Sequence, residues 1–142
     1  MALTLNAGIA EAIRAHGVQT YPNECCGALY GLAPGGVEAV DKVVTATFAL
    51  PNTTEEGPRR RFLVRPGDYR EAERRGAEIG AELLGFYHSH PDHPARPSQY
   101  DLDHAWPYFS YIIVSVREGV PEDMTSWLLR DDRSGFEPED LI

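Results

Sequence analysis

Residues 85–101, GFYHSHPDHPARPSQYD, are the stretch of this chain that decides most about its fold and chemistry. The residues from Leu83 to His90 are predicted to form a strand. Because alternate residues of a strand face the same side, His88 and His90 can present two imidazoles to one point while Ser89 faces away. A proline-rich loop then brings the chain back with little conformational freedom.

Ser98 and Asp101 follow at the start of a short predicted helix, residues 98–105. Residues three apart on a helix project from one face, and Ser98 can also cap the first turn. Two imidazole nitrogens and one carboxylate oxygen form a three-ligand zinc site whose fourth position stays open for water, which is the catalytic arrangement. The sequence therefore predicts a catalytic zinc ion held by His88, His90 and Asp101.

A catalytic zinc site also needs a base, and Glu24 is the candidate. Zinc lowers the pKa of a bound water to about 7, and a nearby carboxylate can take its proton and pass it to a leaving nitrogen. Glu24 lies in the sequence PNECCG, residues 22–27, where a turn between a helix and a strand can aim its side chain at the sheet edge. The alternative for Glu24 is that it is an ordinary solvated residue of the turn. The alternative for Ser98 is that it only caps the helix.

These motifs resemble the signature of a known enzyme family. The sequence HSHP at residues 88–91, then Ser98-x-x-Asp101, with an upstream Pro-x-Glu-x-Cys-Gly, is similar to the JAMM/MPN+ metalloproteases, above all their short stand-alone prokaryotic members. The likeness extends over nearly the whole chain. It implies an α/β fold with a curved mixed β-sheet between helices, as in cytidine deaminases.

The resemblance also implies an activity. It makes His88, His90 and Asp101 the zinc ligands, Glu24 the general acid/base, and Ser98 the residue that stabilises the tetrahedral oxyanion. The family cleaves peptide or isopeptide bonds, often after the Gly-Gly tail of ubiquitin-like proteins, and the corresponding bacterial partners are sulfur-carrier proteins of ubiquitin-like fold. Two alternatives stay open: release of cysteine from the C-terminus of a sulfur carrier, and a non-catalytic scaffold with the same fold.

The same residues also match a rival motif. His-x-His-x-Asp-His, residues 88–93, is typical of the two-metal hydrolases of metallo-β-lactamase fold. That fold is much larger and needs further histidines, whereas only His104 and 49 residues follow His93. Asp92 and His93 are therefore expected at the rim of the site.

Composition and charge limit the number of domains, the class of partner and the location that the sequence allows. The 142 residues suit one domain, 1–142, and the net charge of −9 argues against a nucleic-acid partner. No apolar run is long enough for a membrane span and no secretion signal is visible, so a cytoplasmic setting is expected.

The adjacent Cys25 and Cys26 cannot form a useful disulfide and are expected as reduced thiols in the core or near the site. A homodimer is compatible with the sequence.

Hydrophobic periodicity predicts a mixture of helices and strands. Because these elements do not alternate regularly, the order favours a mixed sheet with flanking helices over a doubly wound parallel sheet. Arg59-Arg60-Arg61 is expected in a solvated loop, with contact to an acidic partner as the alternative. The predicted helices are residues 6–18, 68–82 and 98–105, and the predicted strands are residues 26–32, 37–49, 62–64, 83–90, 108–116 and 125–130.

Overall fold

The computed structural model describes residues 2–34, 41–51 and 66–142. The predicted strand at 62–64 and the Arg59–Arg61 run lie outside the described residues. Within them, no helix combines the length and the apolar character needed to cross a membrane. The elements in chain order are β1 (Ala2–Leu5), α1 (Ile9–Thr20), β2 (Cys26–Leu32), β3 (Asp41–Leu50), α2 (Pro66–Ile79), β4 (Glu82–Pro91), α3 (Gln99–Asp103), β5 (Ser110–Arg117), β6 (Val120–Leu129) and β7 (Phe136–Leu141).

The seven strands form one mixed sheet in the order β1-β3-β2-β4-β5-β6-β7, and β1 also pairs with β7, so that the sheet closes. β1 runs parallel to β3 and β7, and β4 runs parallel to β5, whereas the other pairs are antiparallel. The mixed α/β architecture agrees with the prediction. Its closure was not expected, because the two strands that complete it, β1 and β7, were not predicted.

Helices cover both faces of the sheet. Ile9 and Ile13 of α1 pack with Leu29 on one face, whereas Ala72 of α2 packs with Tyr30 on the other. Neighbouring residues of β2 therefore enter different cores, as the period of two along a strand requires. Burial on both faces explains why the central strands are apolar almost throughout.

Two element bounds differ from their predictions for identifiable reasons. The first helix was predicted to end at Val18, next to a glycine, but α1 continues to Thr20. Gly17 serves close packing instead, since a Cβ there would lie 3.0 Å from Val116 Cγ2. β6 begins at Val120, five residues before the predicted start at Thr125, because its polar first half is paired with β5 through Val120 and Pro121.

Close packing at the start of β4 yields a stability prediction. A Cβ on Gly85 would lie 1.9 Å from the backbone oxygen of Ser110 on the adjacent β5, and a backbone atom cannot rotate away. We expect Gly85→Ala to lower the free energy of unfolding by about 1–3 kcal/mol, measured by urea denaturation. Gly67→Ala is the control, since nothing lies within 4 Å of its added Cβ. Equal midpoints for the two variants would contradict the prediction.

Candidate metal centre

β4 places two buried imidazoles side by side. His88 Nε2 lies 3.1 Å from His90 Nε2. The other ring nitrogen of His90, Nδ1, lies 2.9 Å from the backbone oxygen of Pro94. Because the Pro94 oxygen can only accept a hydrogen bond, Nδ1 must carry the hydrogen. In the neutral imidazole this leaves Nε2 without a hydrogen and able to bind a metal. The loop after β4 therefore orients the imidazole that precedes it.

Asp101 of α3 completes a compact group with these imidazoles. Its Oδ1 lies 3.4 Å from His88 Nε2, and its Oδ2 lies 3.2 Å from His90 Nε2. Ser98 caps α3 as the sequence predicted: its Oγ accepts the Asp101 N–H at 3.1 Å, and its own N–H donates to Asp101 Oδ2 at 2.9 Å. This reciprocal capping box holds the carboxylate in position beside the imidazoles.

Glu24 also lies close to these two imidazoles, although it is remote from them in sequence. It is only 3% exposed, and one ligand atom from each of Glu24, His88 and His90 lies within 4.8 Å of the others, so that these three side chains could hold a metal ion. Two carboxylates, those of Asp101 and Glu24, therefore approach one pair of imidazoles. The structure thus brings together all four of these residues.

Hydrogen bonds to Ser89 hold the segment that carries Glu24 beside the imidazoles. Ser89 is fully buried on the α1 side of β4, and its Oγ accepts the N–H of Cys25 at 2.8 Å. The Ser89 N–H in turn donates to the Cys25 carbonyl at 3.2 Å. Two hydrogen bonds thus tie the residue after Glu24 to the strand segment between the two histidines.

Burial and charge set the protonation states of the centre. Burial lowers the pKa of His88, which favours the neutral imidazole. Burial alone would raise the pKa of Asp101, but the His88 and His90 imidazoles hold it well below its usual range. A neutral imidazole and an ionised carboxylate are the forms that bind metals.

The two further residues of the rival two-metal motif, Asp92 and His93, do not join the group formed by the imidazoles, Asp101 and Glu24. The Asp92 carboxylate accepts the Tyr21 hydroxyl at 2.7 and 2.9 Å and the Glu118 N–H at 2.8 Å. His93 is exposed at the pocket rim. Asp92 therefore joins the end of β4 to two neighbouring turns and does not face the imidazole pair.

The two cysteines are free and buried, as expected of reduced thiols. Cys26 lies directly opposite His88 in the β2–β4 pairing, and its Sγ lies 3.5 Å from the Leu50 carbonyl oxygen. Cys25 belongs to the core beneath α1. Both thiols are thus core residues, and Cys26 is the one that lies opposite a histidine of the centre.

Two pockets flank the centre. An open pocket is lined by Glu24, His90, His93, Arg96 and Ser98 together with two prolines. A more enclosed, mostly apolar pocket lies against His88 and Asp101. Sequence analysis missed its aromatic walls because they come from separate segments without a shared motif. These walls are formed by Trp106, Tyr111 and Phe136.

Comparison with known proteins places the chain in a family. Its residues 6–130 match the family model of prokaryotic homologs of the JAB domain. The chain is 30% identical to desampylase of Haloferax volcanii over 118 residues, 80% of each protein. It is 26% identical to CysO-cysteine peptidase of Mycobacterium tuberculosis over 141 residues, 99% of this chain and 91% of the relative.

A third relative shares only part of its length. The chain is 35% identical over 91 residues to tail tip assembly protein K of Escherichia phage N15, a match that covers 64% of this chain but only 31% of the phage protein.

Solved structures agree with this placement. A protein from Desulfitobacterium hafniense superposes with a TM-score of 0.82 at 34% identity, covering 99% of this chain and 91% of that one. A JAB1/MPN domain protein from Archaeoglobus fulgidus, at 18% identity, shares the fold with a TM-score of 0.58 over 100% of this chain and 97% of that one. The resemblance drawn from the HSHP and Ser-x-x-Asp motifs is confirmed. Since the family model covers most of the sequence, this protein belongs to the prokaryotic homologues of the JAB domain.

Proposed function

We propose that this protein is a zinc-dependent metalloprotease that hydrolyses the peptide or isopeptide bond at the C-terminal glycine of a ubiquitin-like or sulfur-carrier protein. The observation that carries the proposal is the convergence of His88, His90 and Asp101 beside the buried Glu24. The relatives named desampylase and CysO-cysteine peptidase support the same class of reaction.

The donor set fits one tetrahedral zinc ion. Ligand atoms about 2.0–2.1 Å from a tetrahedral centre lie about 3.3 Å from one another. The two imidazole nitrogens lie 3.1 Å apart, and each lies at a similar distance from one oxygen of Asp101: His88 Nε2 is 3.4 Å from Oδ1, and His90 Nε2 is 3.2 Å from Oδ2. These residues would hold the ion, which when bound supplies a Lewis acid for the scissile carbonyl and an acidified water.

Glu24 and Ser98 would carry out the remaining steps. The Glu24 carboxylate, buried next to the imidazoles, would take a proton from the attacking water and deliver it to the leaving nitrogen. Ser98 Oγ already accepts the Asp101 N–H, so its own hydroxyl hydrogen can be donated to the oxyanion. Both side chains line the same open pocket, where the scissile bond would lie.

β-Strand addition would place the substrate tail. Within the described residues, β3 pairs with β1 only as far as Val44, so its last residues have β2 as their sole strand neighbour. Leu50 at the end of this edge lies opposite Cys26, which lies opposite His88. An extended carrier tail added at this edge would run toward the centre. We propose that residues 1–142 act as one domain in this binding.

Release of cysteine from a sulfur carrier is the second candidate. The match to CysO-cysteine peptidase, which extends over 99% of the chain, favours it. It uses the same centre and differs only in the leaving group. A non-catalytic scaffold would not require a complete donor set with an adjacent buried glutamate, which makes it the weaker alternative.

Mass spectrometry of carrier fusions tests the proposed function. The zinc-loaded protein, incubated with ubiquitin-like carriers extended beyond their terminal glycine, is expected to release the extension at that glycine. Removal of zinc with a chelator should stop cleavage, and added zinc should restore it. Intact fusions in the presence of protein carrying a full equivalent of zinc would contradict the proposal.

A further inference from the structure

Arg96 places a cation in the open pocket of the candidate centre. Its side chain lines this pocket together with Glu24, His90 and Ser98. Among the residues that the structure describes, its guanidinium forms neither a hydrogen bond nor an ion pair. The chain has 22 acidic residues and only 13 basic ones, so carboxylate partners are plentiful. Other arginines do use them, as the pairs Arg14–Glu11, Arg74–Glu71, Arg117–Glu122 and Arg130–Glu137 demonstrate.

The backbone that carries Arg96 is held rigidly. The three carbonyl groups immediately before it each accept a hydrogen bond from a different strand, and Ala95 is buried. One of these strands, β4, carries His88 and His90, so the loop is bonded directly to the candidate centre. The bonds are Ser115 Oγ to the His93 oxygen at 2.7 Å, His90 Nδ1 to the Pro94 oxygen at 2.9 Å, and Thr125 Oγ1 to the Ala95 oxygen at 2.7 Å.

A guanidinium on a fixed backbone is suited to an anionic ligand. Its planar fork matches a carboxylate, with which it forms two parallel hydrogen bonds. The position of Arg96 in the same pocket as Glu24 and Ser98 puts that carboxylate close to the scissile bond. The ligand must therefore carry its negative charge within a few bonds of the reacting atoms.

We infer that Arg96 binds the free α-carboxylate of the leaving group. This inference rests on the proposed function and names its substrate class: a carrier protein extended by a single amino acid. The terminal glycine on the carrier side has no side chain to supply an anion. A one-residue leaving group has its carboxylate two bonds from the scissile nitrogen, whereas a lysine in isopeptide linkage has four methylene groups and no anion so near. Arg96 would therefore be a specificity-determining residue.

Three matched substrates test the inference. One carrier is extended by a single amino acid with a free carboxylate, a second by the same amino acid as its carboxamide, and a third is linked to the side chain of a lysine whose α-amino and α-carboxyl groups are blocked. The wild type is expected to cleave the free acid about 10- to 100-fold more efficiently in kcat/KM than the carboxamide. Arg96→Ala should abolish this preference, mainly by raising KM for the free acid, so that cleavage of the acid falls far more than cleavage of the carboxamide.

Two further variants complete the test. Arg70→Ala, which removes an exposed arginine of α2 outside the pocket, should behave like the wild type. Arg96→Lys should retain part of the preference, since it keeps the charge without the fork. Equal losses on the acid and the carboxamide in Arg96→Ala, or a wild type without preference, would overturn the inference alone. Failure of the zinc-loaded wild type to cleave any of the three would overturn the proposed function and the inference with it.

Discussion

Glu24→Gln is expected to lower kcat by about 10²- to 10⁴-fold while the protein keeps its zinc, the range typical of losing a positioned general base. Gln retains the shape of the side chain and can still form hydrogen bonds, but it cannot accept a proton. Because Asp101, which lies beside both imidazoles, is unchanged in this variant, zinc should still be held by the two histidines and Asp101. Steady-state kinetics and elemental analysis of the same preparation measure both quantities.

A second buried glutamate supplies the control. Glu139 is 7% exposed and accepts a hydrogen bond from Ser126 Oγ at 2.7 Å, outside the candidate centre. Glu139→Gln also neutralises a buried carboxyl group, yet it should leave turnover unchanged. If Glu24→Gln turned over substrate as fast as the wild type, Glu24 would not be the base. If it lost its zinc, Glu24 would be a ligand.

His90→Ala should remove zinc from the centre. Loss of a direct ligand is expected to weaken zinc binding by more than about 100-fold, beyond the 10- to 100-fold typical of losing a partner that orients a ligand. A ligand that binds only the folded state raises the unfolding temperature. Added zinc should therefore raise the unfolding temperature of the wild type but not that of His90→Ala, as measured by differential scanning calorimetry and a zinc titration.

His93→Ala separates this centre from the rival two-metal motif. His93 is exposed at the pocket rim, so we expect its variant to bind zinc with the stoichiometry and affinity of the wild type. Two equivalents of zinc in the wild type, with one lost in His93→Ala, would favour the two-metal motif. An undiminished zinc-induced rise in the unfolding temperature of His90→Ala would rule out His90 as a ligand.

Short-range patterns in the sequence were enough to predict most of the individual elements. His88 and His90 alternate along a strand, and Ser98 and Asp101 are separated by three residues at a helix start, so local geometry determines which way each pair faces. The mixed order of helices and strands likewise predicted the α/β class. The two inferences about residue pairs concern residues within one turn or one strand, and the inference about the class needs only the order of the elements.

Closure of the sheet is a long-range property that local patterns could not predict. β1 has only four residues, and β7, with the sequence FEPEDL, carries three acidic residues and a proline. Neither has a strand pattern of its own. Each becomes a strand because partners remote in sequence pair with its backbone, an effect of tertiary context on β-propensity.

By itself the sequence identified the candidate residues of the centre, because the HSHP, Ser-x-x-Asp and Pro-x-Glu-x-Cys-Gly motifs are local in the chain. Only the tertiary structure decided how these three motifs meet. Glu24 approaches the imidazoles because two hydrogen bonds between Cys25 and Ser89 join segments 64 residues apart, and the Arg96 loop is held by hydroxyl groups of β5 and β6. Contacts of this kind depend on the path of the folded backbone, which no local spacing specifies.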